Sequence, residues 1–69
     1  MSHKALEVWA STEADGSDPK RISNIDAAMD GAYEAARTEF VKAREDPAVK
    51  FVWVNEVGPE ATKTLWRYP

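Results

Sequence analysis

Three carboxylates crowd into Glu13-Ala14-Asp15-Gly16-Ser17-Asp18, the one stretch that approaches a ligand set for a hard cation. A helix–loop–helix calcium loop needs alternating oxygen ligands over twelve residues and a closing bidentate glutamate. Here the alternation is incomplete and the closing glutamate is missing. A solvated acidic loop is the simpler reading. The sequence holds no cysteine and a single histidine, His3, so no zinc ligand set can be assembled. The same shortage removes the usual nucleophile–base pairs of covalent catalysis. Gly16, Gly31 and Gly58 are too scattered for a phosphate-cradling loop. Neither an enzyme nor a bound cofactor is expected.

Binding chemistry is better represented. Trp9 together with Lys50, Lys63 and Arg67 could form a stacking platform for single-stranded nucleic acid on an open sheet, with Glu7 and Glu56 opposing it. The charge distribution gives this reading little support. The net charge is −3, and residues 11–19 carry Glu13, Asp15 and Asp18 without a basic residue, so the remainder is balanced. A balanced body has no broad field to draw in a polyanion. Nucleic acid is therefore the alternative. The leading expectation is a small non-catalytic protein-interaction module, of the regulator or inhibitor kind, that binds a partner protein or a second copy of itself.

Such a surface must be positioned by a small number of elements. Residues 5–11 alternate Leu6, Val8 and Ala10 against Glu7, Trp9 and Ser11, the period-two pattern of a half-buried strand. Residues 12–19 follow as the polar loop, and residues 20–23 read as connection rather than as a short strand folding back on the first. Ser23-x-x-Asp26 resembles a capping box and predicts a helix over residues 24–45, stopped by Asp46-Pro47. Ile25, Met29, Ala32, Ala36, Phe40 and Ala43 fall on one stripe of that helix, with Tyr33 and Ala28 at its edges. Gly31 sits on the opposite side, where a helical glycine costs ~1 kcal/mol against alanine. Residues 49–57 and 61–68, broken by Gly58-Pro59, predict a closing hairpin.

The expected fold is thus a single α+β domain over residues 1–69, in the order β-α-β-β. One long helix packs on one face of a three-stranded mixed sheet whose first two strands are parallel. With an even hairpin loop, Phe51, Trp53, Trp66 and Tyr68 share a face. An alanine-rich helix stripe leaves room for those rings, which assigns them to the core with Leu6 and Val8. The face left open then carries Trp9, Val52, Val54 and Leu65, fringed by Lys50, Lys63, Arg67, Glu7 and Glu56, and this is the expected binding surface.

Composition sets the outer bounds. With 69 residues the core is thin, and no disulfide can supplement it. Hydrophobic residues make up 43% of the chain, enough to favour folding over disorder. No run is long enough to span a membrane, and Met1-Ser2-His3-Lys4 does not lead into the apolar stretch of a signal peptide, so a cytoplasmic location is expected. Strand–helix–hairpin layouts of this size recur among small bacterial and phage-encoded proteins. That likeness is one of layout and carries no motif.

Overall fold

A computed structural model describes residues 3–69. Its elements run β1 (Ala5–Ser11), β2 (Lys20–Asp26), α1 (Ala32–Glu45), β3 (Phe51–Val57) and β4 (Thr62–Tyr68). The four strands form one sheet in the order β2-β1-β3-β4, and every neighbouring pair is antiparallel. This corrects the three-stranded mixed sheet expected above. The difference begins at residues 20–26, which are strand rather than connection and helix start. Ile22 and Ile25 are β-branched, and Ser23 and Asn24 are weak helix formers. Paired against β1, these residues extend the sheet by one strand. Because β2 and β3 both run against β1, they share a direction, and the helical crossover joins those two with β1 between them.

The helix accordingly starts at Ala32, eight residues after the expected start at residue 24. Asp26 does not cap a helix. Its Oδ1 accepts the Ala28 N–H at 2.9 Å and its carbonyl accepts the Met29 N–H at 3.1 Å, which turns the chain out of β2. Met29 is 63% exposed, and Ile25 belongs to the sheet. Gly31 is the N-cap of α1, with φ 73° and ψ 12°. It occupies the left-handed region that an L side chain enters only at a cost, so it is no dispensable helical glycine. Open space surrounds the place where a Cβ would stand, leaving backbone strain as the whole penalty. Gly31→Ala should therefore lose about 1 kcal/mol in a urea melt, with Gly31→Asn losing less. An alanine variant as stable as the wild type would show that the position has left that region. At the other end Asp46 takes an extended conformation (ψ 119°) before Pro47, as the proline demands.

The core lies between α1 and one face of the sheet. Leu6, Val8, Val52 and Val54 have no exposed surface, and they cluster with Ala32, Ala36 and Phe40. Small helix residues set a flat helix close onto an aliphatic sheet, and Phe40 is the one large ring on the buried helix face. Its ring meets Trp66 at a centroid distance of 6.3 Å. Only Trp66 of the expected aromatic set packs against this core. Phe51 and Trp53 alternate with Val52 and Val54 along β3 and therefore lie on the opposite face. Tyr68 shares the helix side but is 40% exposed.

The cause is a β-bulge. The hairpin loop does have four residues, Gly58 to Ala61, and Val57 pairs with Thr62 as an even loop requires. The register then shifts between Val54 and Asn55, leaving Leu65 extra on β4. Trp66 moves from the position opposite Trp53 to the position opposite Val54. One inserted residue exchanges the faces of everything beyond it.

Candidate functional site

The sheet face away from α1 is open except at its Ser11–Phe51 end, where the acidic loop packs on it. Opposed residues of an antiparallel pair share a face, so the register places four side chains in one row across all four strands. Arg21 on β2 stands opposite Trp9 on β1, Trp9 opposite Trp53 on β3, and Trp53 opposite Arg67 on β4. Both tryptophans are half-buried and both arginines exposed.

Each arginine owes its place to a bulge. Without the register shift between Val8 and Trp9, Ile22 would face Trp9. With it, Arg21 does, and Ile22 is left 47% exposed. Without the shift at Leu65, Trp53 would face Trp66. Bulges re-aim side chains and concentrate near working surfaces. Here one in each edge strand yields an Arg-Trp-Trp-Arg row.

Glu7 neutralises part of the row. Its carboxylate accepts the Trp9 indole N–H at 3.1 Å and pairs with Arg21 at 3.1 Å, which fixes the ring edge and the guanidinium together. Arg67 has no carboxylate within ion-pair distance among the described residues, so one end of the row carries an unmatched positive charge. Beyond Trp53 the face continues to Asn55, whose Oδ1 accepts the Thr64 hydroxyl at 2.8 Å.

The acidic loop borders this face as an ordered element. Ser11, 2% exposed, donates its hydroxyl to the Ser17 carbonyl at 2.6 Å and accepts the Glu13 N–H at 3.2 Å. Hydrogen bonds from Ser17 to Asp15 hold that carboxyl below its ordinary value. Gly16, at φ 77°, passes so close to Phe51 that a Cβ would stand 3.4 Å from the ring. Ser11→Ala should cost about 1 kcal/mol and speed exchange of the Glu13 amide, because one hydroxyl holds both ends of the loop. Unchanged exchange at Glu13 would mean that the loop is held by other contacts. Among the described residues no group of three or more His, Cys, Asp or Glu side chains is arranged to hold a metal ion.

The residues expected to form the binding surface divide between the two faces. Trp9 and Arg67 are on the open face. Val52 and Val54 are core, fully covered on the helix side, and so cannot touch a partner. Leu65 is half-buried and packs against the same core. Lys63 stands opposite Glu56, and both share the helix side with Val54. Lys50 is exposed just ahead of β3, its N–H donated to the Ser11 carbonyl at 2.8 Å. The expected cluster of Lys50, Lys63 and Arg67 around Trp9 does not form. Arg21, Phe51 and Trp53 take the positions that sequence reasoning gave to others. No family model, curated protein or solved structure matches the chain, so its function is argued from its own residues.

On the helix side, Tyr33 donates its hydroxyl to Glu56 Oε2 at 2.5 Å, and Lys4 lies 3.6 Å from the other oxygen. The hydrogen bond raises the Tyr33 phenol and lowers the Glu56 carboxyl relative to their usual ranges. This contact ties the first turn of α1 to the end of β3. It belongs to the scaffold rather than to the open face. No helix is long and apolar enough to cross a membrane among the described residues.

Proposed function

We propose that the chain is a non-catalytic protein-interaction module that seats a partner protein on the open sheet face. The Arg21–Trp9–Trp53–Arg67 row carries this reading. Tryptophan and arginine are the residue types that most often dominate protein interfaces, and the dominant residues cluster centrally. The two rings lie on the two central strands of the sheet, as such a cluster requires. The partner surface that fits is apolar at its centre, with a carboxylate to meet Arg67.

The same row favours a second reading, in which unpaired bases stack on Trp9 and Trp53 while the arginines meet phosphates. The acidic loop beside Phe51 works against a polyanion there, and Lys63 stands on the other face. Titration with fluorescein-labelled oligothymidylate separates the two. A protein-interaction module shows no saturable binding at physiological salt. Micromolar binding that weakens steeply with salt and disappears in Trp9→Ser would replace it with the nucleic-acid reading.

A further inference from the structure

The apolar strip on the open face runs across the strands, not along them. Toward the Ser11–Phe51 end, the acidic loop covers the sheet next to the Trp9–Trp53 row. In the other direction the register lines up Asn24, Glu7, Asn55 and Thr64, a row without an apolar side chain. An occupant that buries apolar surface on both tryptophans must therefore lie along their row. The middle line across a twisted sheet is straight, so a straight rod can rest on it.

Spacing selects the rod. Neighbouring strands lie about 4.8 Å apart, so the row from Arg21 to Arg67 covers about 14 Å. An α-helix repeats one face every turn, about 5.4 Å, at positions i, i+4, i+7 and i+11. Three turns thus set one residue over each strand, with an accumulated offset of about 2 Å that side chains absorb. An extended chain repeats its face about every 6.7 Å and is out of step by the second strand. A polyproline II segment, with a turn of about 9.3 Å, meets only alternate strands.

Charge supplies the rest of the pattern. Arg67 is unmatched among the described residues, whereas Arg21 shares Glu7 with the Trp9 indole. A carboxylate on the occupant therefore belongs at the Arg67 end. The loop that bounds the row carries Glu13, Asp15 and Asp18, none of them in an ion pair among the described residues. Basic residues suit the flank beside it. A second copy cannot supply this helix. Among the described residues the chain has one helix, α1, and its apolar side is already buried through Ala32, Ala36 and Phe40.

We propose that the open face receives an amphipathic α-helix of a partner protein, laid across the four strands. Its apolar residues at i+4 and i+7 rest on Trp9 and Trp53, an end carboxylate meets Arg67, and a basic flank faces the acidic loop. This rests on the open-face reading and narrows it to one kind of partner element.

The probe is a helical peptide of about five turns, stapled on its outer side. It carries Leu at i+4 and i+7, Glu at i and i+11, and Lys along one flank, and is titrated into the ¹⁵N-labelled protein. Shifts should concentrate at the indole N–H groups of Trp9 and Trp53 and at the amides of Arg21 and Arg67. They should spare the Trp66 indole and saturate below a millimolar. Arg67→Glu should weaken binding at least tenfold, as should glutamate in place of the flanking lysines. Arg37→Glu, in the groove between α1 and β4 on the helix side, should leave it unchanged. The proposal is overturned if neither open-face indole shifts at millimolar peptide. Equal binding by an unstapled peptide carrying the same residues at alternate positions would overturn it as well. A partner adduct from benzoyl-phenylalanine at position 53 beside a silent helix titration would remove the helix alone. Silence in both experiments would remove the open-face reading with it.

Discussion

Phe40→Ala should bring the protein to the margin of unfolding. The side chain is 2% exposed, the only large one on the buried helix face, and it joins the aliphatic core to Trp66 on β4. Truncation removes its burial and leaves a cavity under a helix whose other buried residues are alanines. Phenylalanine-to-alanine changes in cores cost ~3–5 kcal/mol. A chain of this length has a total stability of roughly 3–10 kcal/mol. Arg37 and Arg44 would lose the ring they lie over, and the β4 margin would lose its main link to α1. The variant should therefore melt tens of degrees lower or be unfolded at 25 °C by near-ultraviolet circular dichroism. A melting temperature within a few degrees of wild type would contradict this core.

Replacement of either open-face tryptophan should separate binding from stability. Trp9 and Trp53 lie half-buried on the face that α1 does not cover, so Trp9→Ser or Trp53→Ser opens no cavity between helix and sheet as Phe40→Ala does. The two residues stand opposite each other across the β1–β3 pair, and cross-strand neighbours contribute roughly 0.2–1 kcal/mol. Loss of a central tryptophan from an interface typically costs ~2 kcal/mol or more of binding energy, at least thirtyfold in affinity. Arg67→Glu should act mainly through the association rate and its salt dependence. Thermal melts beside a binding titration would show the contrast. A Trp53→Ser protein that unfolds would place that ring in the core and withdraw the face from contact.

Local pattern made part of this legible, and pairing made the rest hard to see. The alternation in residues 5–11 marks β1 and assigns Leu6 and Val8 to the core, because one strand reports its own two faces. The stripe of Ala32, Ala36 and Phe40 likewise marks the buried side of α1, and Asp46-Pro47 its end. Ile25 and Met29 prolong the stripe by chance of spacing, which draws residues 24–26 of β2 into an apparent helix and leaves residues 20–23, with Arg21, as mere connection. The face of Trp53 was out of reach for a different reason. Val52 and Val54 alternate with Phe51 and Trp53, and both sets are apolar, so periodicity cannot say which one faces the helix. The choice depended on the register of β4, and a bulge at Leu65 has no composition signal of its own. The Arg-Trp-Trp-Arg row needs two such shifts, each set by tertiary pairing.

The most direct test of the open-face reading is site-specific photocrosslinking in the native host. A benzoyl-phenylalanine placed at Trp53 probes the centre of the row, and one placed at Ala35, exposed on α1 away from the β4 groove, serves as the control. Both substitutions leave the Leu6, Val8, Val52, Val54 and Phe40 core intact. The prediction is one discrete protein adduct from position 53, lost when Trp9→Ser is added, and none from position 35. Equal labelling from both positions, or an adduct to nucleic acid from position 53, would contradict it.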